Sequence, residues 1–129
     1  MSSKITVLKF GSSVLRDESD LPRVVHEIYS RWRHGSQVLV VVSAFGNTTD
    51  ELLERANAIS DLPHARSVAS LLATGEATAA ALLGLALDKA GIPVKVLRPE
   101  QAGLTTTGET LDSELIDVDD AKLHDDLKT

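Results

Sequence analysis

The chain contains no cysteine, and its 129 residues include one methionine, one tryptophan, one tyrosine and two phenylalanines. Without thiols there is neither a disulfide framework nor a thiolate metal site, which fits a reducing compartment. With aromatics at 3%, the core has to be assembled from Val, Leu, Ile and Ala, a palette suited to buried parallel strands and Ala-rich helices. No run approaches the ~18 apolar residues of a membrane span. Met1-Ser2-Ser3-Lys4 leads directly into a strand-like segment, without signal-peptide architecture, so a cytoplasmic protein is expected. Basic residues are outnumbered by acidic ones, 13 to 19, for a net charge of −6. That argues against nucleic acid and membrane surfaces as partners, but leaves room for a local positive pocket.

What the chain does have is an alternation of strand and helix patterns in one domain's length. Ile5 to Phe10 reads as a buried strand. Asp20 is placed to cap a helix, with Pro22 in its first turn. Leu21, Val24, Val25, Ile28 and Trp32 recur on one face, and Gly35 ends the run. Val38 to Val42 is continuously apolar, as a central parallel strand would be. Strand, helix and strand within about 35 residues make a βαβ unit.

Thr48 and Glu51 then have capping-box spacing, ahead of an apolar stripe of Leu52, Leu53, Ala56 and Ile59. Asp61-Leu62-Pro63 breaks that helix. A short helix is expected over Ala65 to Ala73. A second, over Glu76 to Ala90, is apolar nearly all round and should be deeply buried. Gly91 and Pro93 stop it, and Val94 to Leu97 reads as a third strand. Gln101 to Ser113 is a Thr-rich loop or irregular hairpin, Leu115 to Val118 a short strand, and Asp119 the cap of a last helix through Leu127. The fold class is therefore α/β.

Three segments carry chemistry. The first strand ends in Lys9 and opens into the turn Gly11-Ser12-Ser13, which leaves backbone N–H groups free for an anion beside a compact positive charge. Gly11 and Ser12 are the candidate phosphate-binding positions. The second is Ser43-Ala44-Phe45-Gly46-Asn47-Thr48-Thr49-Asp50, starting at the end of the second strand, where ligands sit in open α/β sheets. The third is Thr74-Gly75-Glu76. The four histidines have no ligand spacing, and Asp117, Asp119, Asp120, Asp125 and Asp126 read as a solvated helix face, so no metal site is expected.

Together these segments resemble aspartate kinases of the amino acid kinase superfamily. Lys9-Phe10-Gly11-Ser12-Ser13-Val14 is similar to their Lys-Phe-Gly-Gly-Ser/Thr-Ser-Val. The run from Val41 to Leu53 looks like their Ser-Ala-x-Gly-x-Thr-Thr-Asp-x-Leu signature, and Leu71-Leu72-Ala73-Thr74-Gly75-Glu76 like their Gly-Glu entering a helix. Gln101-Ala102-Gly103 followed by threonines also fits. The resemblance implies a three-layer αβα sandwich with a mostly parallel sheet. Residues 1–129 would form its N-terminal, amino-acid-binding half, without the nucleotide-binding half.

Implied too is phosphorylation of the L-aspartate side chain by ATP with Mg2+, whose ligands belong to the other half. The product, 4-phospho-L-aspartate, leads toward lysine, threonine and methionine. A homoserine dehydrogenase fusion and a homo-oligomer, or association with the missing half, come with the same resemblance. The isolated chain would be inactive, or serve as a non-catalytic binding or assembly module.

There are two departures from the family pattern. The paired glycine is single, as in the Lys-x-Gly-Thr/Ser-Ser-Val-Leu of glutamate 5-kinases, so a related carboxylate kinase is an alternative. Gly108 to Ser113 replaces a His-Gly-Asn-Ala-Arg-like stretch.

Each candidate has a plain alternative. Lys9 would neutralise the transferring phosphoryl group, or be an ordinary lysine at a strand end. By resemblance, Ser43 and Thr49 contact aspartate, whereas hydroxyls before a helix are usually caps. Asn47 is most simply a turn residue. Glu76 would pair with the substrate's α-ammonium, or merely complement a helix dipole as a first-turn acid. Thr105, Thr106 and Thr107 line the substrate or a polar loop.

Overall fold

The computed structural model describes residues 4–109 and 112–128. The elements are β1 (Ile5–Phe10), a 3-10 turn (Glu18–Asp20), α1 (Leu21–Arg33), β2 (Gln37–Val42), α2 (Thr48–Ile59), α3 (Ala65–Lys89), β3 (Leu104–Glu109), β4 (Asp112–Val118) and α4 (Asp120–Leu127). β1 and β2 pair in parallel, Ile5 opposite Gln37 through Phe10 opposite Val42. β3 and β4 form an antiparallel hairpin with an irregularity between Thr105 and Thr106, so the Thr-rich segment is the hairpin alternative rather than the loop.

Side chains alternate across the parallel pair because successive Cβ atoms point to opposite faces. Leu8, Phe10, Val38, Val40 and Val42 face a core completed by Leu15, Val24, Ile28, Leu83, Leu87 and Ile92, which brings α1 and α3 onto that side. The other face is screened in part by α4, whose Leu123 and Leu127 approach Ile5 and Leu39. The Gln37 amide donates to the Leu127 carbonyl at 3.2 Å. The layering is helix, sheet, helix. Gly35 and Gly91 end α1 and α3 at positive φ. In each case the residue after the glycine reaches back to a carbonyl one turn earlier, Ser36 to Arg31 and Ile92 to Leu87.

Several expectations need correcting. β1 is buried on one face only: Val7 is 61% exposed and Ile5 and Val41 are open as well. β2 has β1 as its one partner among the described strands, so neither strand is central there. The two helices expected over 65–73 and 76–90 are a single 25-residue helix. Gly75 does not break it: the helix runs on through that position with Gly75 buried, and the Thr74 hydroxyl donates back to the Leu71 carbonyl. Nor is α3 buried all round: Val68, Gly75, Ala79, Leu83, Gly84 and Leu87 form one inward stripe, while Leu85 is 66% exposed.

By length and composition α3 would suffice to cross a membrane, against the expectation that no stretch comes close. Its inward stripe packs against the core through Leu83 and Leu87, and 28% of that apolar stretch is buried. Ile59, expected on the apolar stripe of α2, is exposed, and α2 has no buried residue. Trp32 lies at the rim of α1 against Tyr29.

Val94 to Leu97 forms no strand. Pro93 brings no N–H, and no strand among the described residues pairs with the segment. Its side chains nevertheless alternate between the helical layers. Val96 lies where a Cβ on Gly84 of α3 would fall, and Lys95 pairs with Asp126 of α4 at 3.4 Å.

Candidate functional site

The site is built by two turns at the C-terminal ends of the parallel strands. After β1, the Gly11 carbonyl accepts from the N–H groups of Val14 (3.1 Å) and Leu15 (2.9 Å), curling the chain tightly. Leu15 is fully buried and pins the curl to the core. Among the described residues no backbone acceptor takes the N–H groups of Ser12 or Ser13, so both remain free for a ligand. A Cβ on Gly11 would meet nothing within 4 Å, and its φ is not positive. The fold itself therefore does not require glycine there. Close approach of a ligand would.

Asp20 organises the far side of this turn. Its carboxylate, 6% exposed as a residue, accepts from the Arg16 backbone N–H (2.9 Å), from Arg16 Nε and Nη2 (3.0 Å each), and from Arg23 Nη2 (3.2 Å). Hydrogen bonds from Arg16 hold the Asp20 carboxyl well below the usual carboxylate range. Asp20 does occupy the cap position of α1, but it makes no side-chain cap bond. The expected cap is replaced by this pair, because a buried carboxylate gains more from guanidinium groups than from one N–H. Arg23 also donates to the Val14 carbonyl at 3.2 Å.

The turn after β2 docks onto the first. Ser43 N–H donates to the Phe10 carbonyl and Gly46 N–H to the Leu15 carbonyl, both at 3.4 Å. Gly46 has φ +32, and a Cβ there would lie 2.7 Å from the Arg16 carbonyl oxygen. Only glycine lets the turns touch at this point. Between them lies an open depression of about 490 Å³ lined by Ser12, Ser13, Arg16, Asp17, Gly46 and Asn47. The helix α2 starts at Thr48 with Asn47 in the cap position and no side-chain cap bond. The Thr48–Glu51 capping box is therefore not formed. The Thr48 methyl instead lies 3.1 Å from a Cβ built on Gly75, beside Ala44 and Leu52.

The expected site residues are spread over this frame. Lys9 is exposed at the end of β1, on the face shared with Ile5 and Val7, and has no ion pair among the described residues. Gly11 and Ser12 begin the turn, with Ser12 lining the depression. Ser43 is half-buried beside Phe10, and Thr49 is exposed in the first turn of α2. Glu76 is exposed in the middle of α3, not at a helix mouth, so a first-turn dipole role does not apply to it. Its neighbour Gly75 brings α3 against the β2–α2 connection. Lys9, Ser43, Thr49 and Glu76 do not line the depression.

Arg16, Asp20 and Gly46 were not singled out as site residues from sequence. The spacing of Arg16 and Asp20 four apart was the available signal for the first two. Thr110 and Leu111, in the replaced loop, lie outside the described residues, as do the side chains of Thr105, Thr106 and Thr107.

The family model for the amino acid kinase family matches residues 4–128. The chain belongs to the amino acid kinase family. It is 37% identical over 123 residues to an aspartokinase of Mycolicibacterium smegmatis, covering 95% of this chain and 29% of that one. With aspartokinase 2 of Bacillus subtilis it shares 36% over 124 residues, covering 96% and 30%. The crystal structure of aspartate kinase from Synechocystis superposes with a TM-score of 0.68 at 36% identity, covering 70% of this chain and 16% of that one. This member of the amino acid kinase family thus spans about three-tenths of the curated relatives it matches, and its α/β layering is that of a known aspartate kinase.

Proposed function

We propose that this chain forms the amino-acid-binding portion of an aspartate kinase, which moves the γ-phosphoryl group of ATP to the side-chain carboxylate of L-aspartate. The observation that carries this reading is the run of aspartokinase relatives at 35–37% identity over more than nine-tenths of the chain. Supporting it is the placement of Lys9, Gly11 and Ser12 at the C-terminal end of a parallel strand, where α/β folds bind ligands. The product is 4-phospho-L-aspartate, on the route to lysine, threonine and methionine, and the setting is cytoplasmic.

Phosphoryl transfer between two anions is a problem of positioning and charge. Lys9 offers an unpaired ammonium for the transferring group, and the free N–H groups of Ser12 and Ser13 offer donors for its oxygens. Ser43 and Thr49 hold the carboxylates of aspartate near the start of α2, whose N-terminal end favours anions. Glu76 takes the α-ammonium. ATP brings Mg2+, which neutralises phosphate charge and is held outside these residues. Turnover requires association with the nucleotide-binding portion that the family supplies, and the parent acts as an oligomer.

Isothermal titration of L-aspartate and L-glutamate into the chain tests this, with Glu76→Ala as control. Aspartate binding that is lost in the variant is expected. A preference for glutamate, or aspartate binding indifferent to Glu76, overturns it.

A further inference from the structure

We propose that Arg16 is a phosphate-positioning residue of this site, its guanidinium taking phosphoryl oxygens in the depression between the β1–α1 and β2–α2 turns. The proposal rests on the kinase reading and adds to it a residue that the sequence pattern does not single out. Its basis is the inventory of donors. The Arg16 side chain is 65% exposed yet not free to wander. One edge of its planar fork is fixed on Asp20 through Nε and Nη2, and its backbone N–H is fixed on the same carboxylate. The remaining N–H groups of the fork are presented to solvent in a set direction, which is the preorganisation that favours arginine over lysine for oxyanions.

Around it the depression offers further donors that the fold leaves unused. Ser12 and Ser13 make no side-chain hydrogen bond among the described residues, and the Asn47 amide does not cap α2. Donors converging from two turns suit a tetrahedral oxyanion, which only accepts. The hydroxyls and the Asn47 amide can also accept, but the Arg16 fork only donates, and a cation or an apolar group would leave it unsatisfied. Asp17 is the one carboxylate lining the depression, and its Oδ1 is turned to the Ser19 N–H and hydroxyl. Two guanidinium groups, Arg16 and Arg23, share the single carboxylate of Asp20; with Asp17 counted the group is neutral, so the preference for an oxyanion lies in the placement of donors rather than in net charge. Phosphoryl oxygens reach this site from a nucleotide or from an acyl phosphate.

Titration of tripolyphosphate, ATP and acetyl phosphate into the chain separates those sources, the first two reporting a nucleotide and the third an acyl phosphate. Arg16→Gln is expected to weaken the preferred probe about tenfold or more, the scale of one charge-assisted hydrogen bond. Arg16→Lys keeps the charge but loses the fork and should recover part of the affinity. Asn47→Asp leaves the Arg16–Asp20 pair intact and places an acid at a cap position that tolerates it. It should weaken binding to a similar degree, and it decides the matter if Arg16→Gln does not fold. Affinity unchanged in a folded Arg16→Gln, or in Asn47→Asp where Arg16→Gln does not fold, or a wild-type chain that binds none of the three probes, overturns the proposal. L-aspartate binding that still depends on Glu76 in that case leaves the kinase reading standing. Phosphate binding without aspartate binding removes the aspartate assignment and keeps Arg16.

Discussion

Asp20 ties the β1–α1 turn together, and its chemistry makes that turn sensitive to acid. The folded carboxyl titrates below the range of the unfolded one, near 3.9, because Arg16 hydrogen bonds favour the charged form. A depressed folded value contributes stability above about pH 4 and loses it as the pH falls toward the folded value. Asp20→Asn should therefore melt lower than wild type at pH 7, and its melting temperature should fall less between pH 5 and pH 2. Some acid sensitivity remains, since Asp17 and Asp126 are also depressed. Parallel melting curves for the two proteins over that range would exclude Asp20 as the cause.

Two glycines at the same scale predict different behaviour. A Cβ on Gly75 would sit 3.1–3.3 Å from Thr48, Ala44 and Leu52. Overpacking of about 1–3 kcal/mol then outweighs the ~1 kcal/mol helix preference of alanine, and Gly75→Ala should lower stability by about 1 kcal/mol in denaturant titrations. Gly11→Ala meets nothing and should change stability by less than about 0.5 kcal/mol, while weakening phosphate binding. Destabilisation by Gly11→Ala would mean that the fold, and not a ligand, requires glycine there.

At the scale of elements, the strands and helices whose signal is local were legible. β1, β2, α1 and the end of α1 at Gly35 follow from periodicity and cap chemistry. Asp119 caps α4 as expected, accepting from the Lys122 N–H at 3.0 Å. The failures came where a local signal was answered by a tertiary contact. Thr74-Gly75 reads as a gap between two helices, yet a Cβ on Gly75 would crowd Thr48, Ala44 and Leu52, so its lack of a side chain serves packing against the β2–α2 connection. Thr48 reads as a cap, yet its methyl fills that same contact. Asp20 reads as a cap, yet two arginines outcompete the helix for its oxygens. The segment Val94–Leu97 has strand composition and alternates between two helical layers, but ladder hydrogen bonds need a neighbour that composition cannot announce. The candidate site was legible as motifs, not as geometry: Ser12 was placed at the depression, whereas the Arg16–Asp20 pair and the Gly46 contact needed the folded chain.

Over the whole molecule, apolar surface and net charge oppose each other. Ile5, Val7 and Val41 lie open on one face of the parallel pair, Leu85 stands out from α3, and Val94 and Val96 are half-open between the layers. Each strand of the parallel pair has an edge without a partner among the described strands. Unpaired edges and contiguous apolar patches drive chain association. Against that stands a net charge of −6, which keeps copies apart at low ionic strength. At molar salt the screening length falls to about 3 Å, and the repulsion is lost while the apolar term is retained. Sedimentation velocity should therefore show a mainly monomeric chain at low salt and a growing fraction of dimers or larger species as salt is raised. Val7→Lys, which places a second charge on the face of Lys9 without touching the core, should suppress that rise. A chain that sediments as a monomer in molar salt at high concentration would show that the exposed face is too small or too interrupted to associate. Association that weakens as salt is added would place its origin in ion pairs rather than in the open face of β1 and β2.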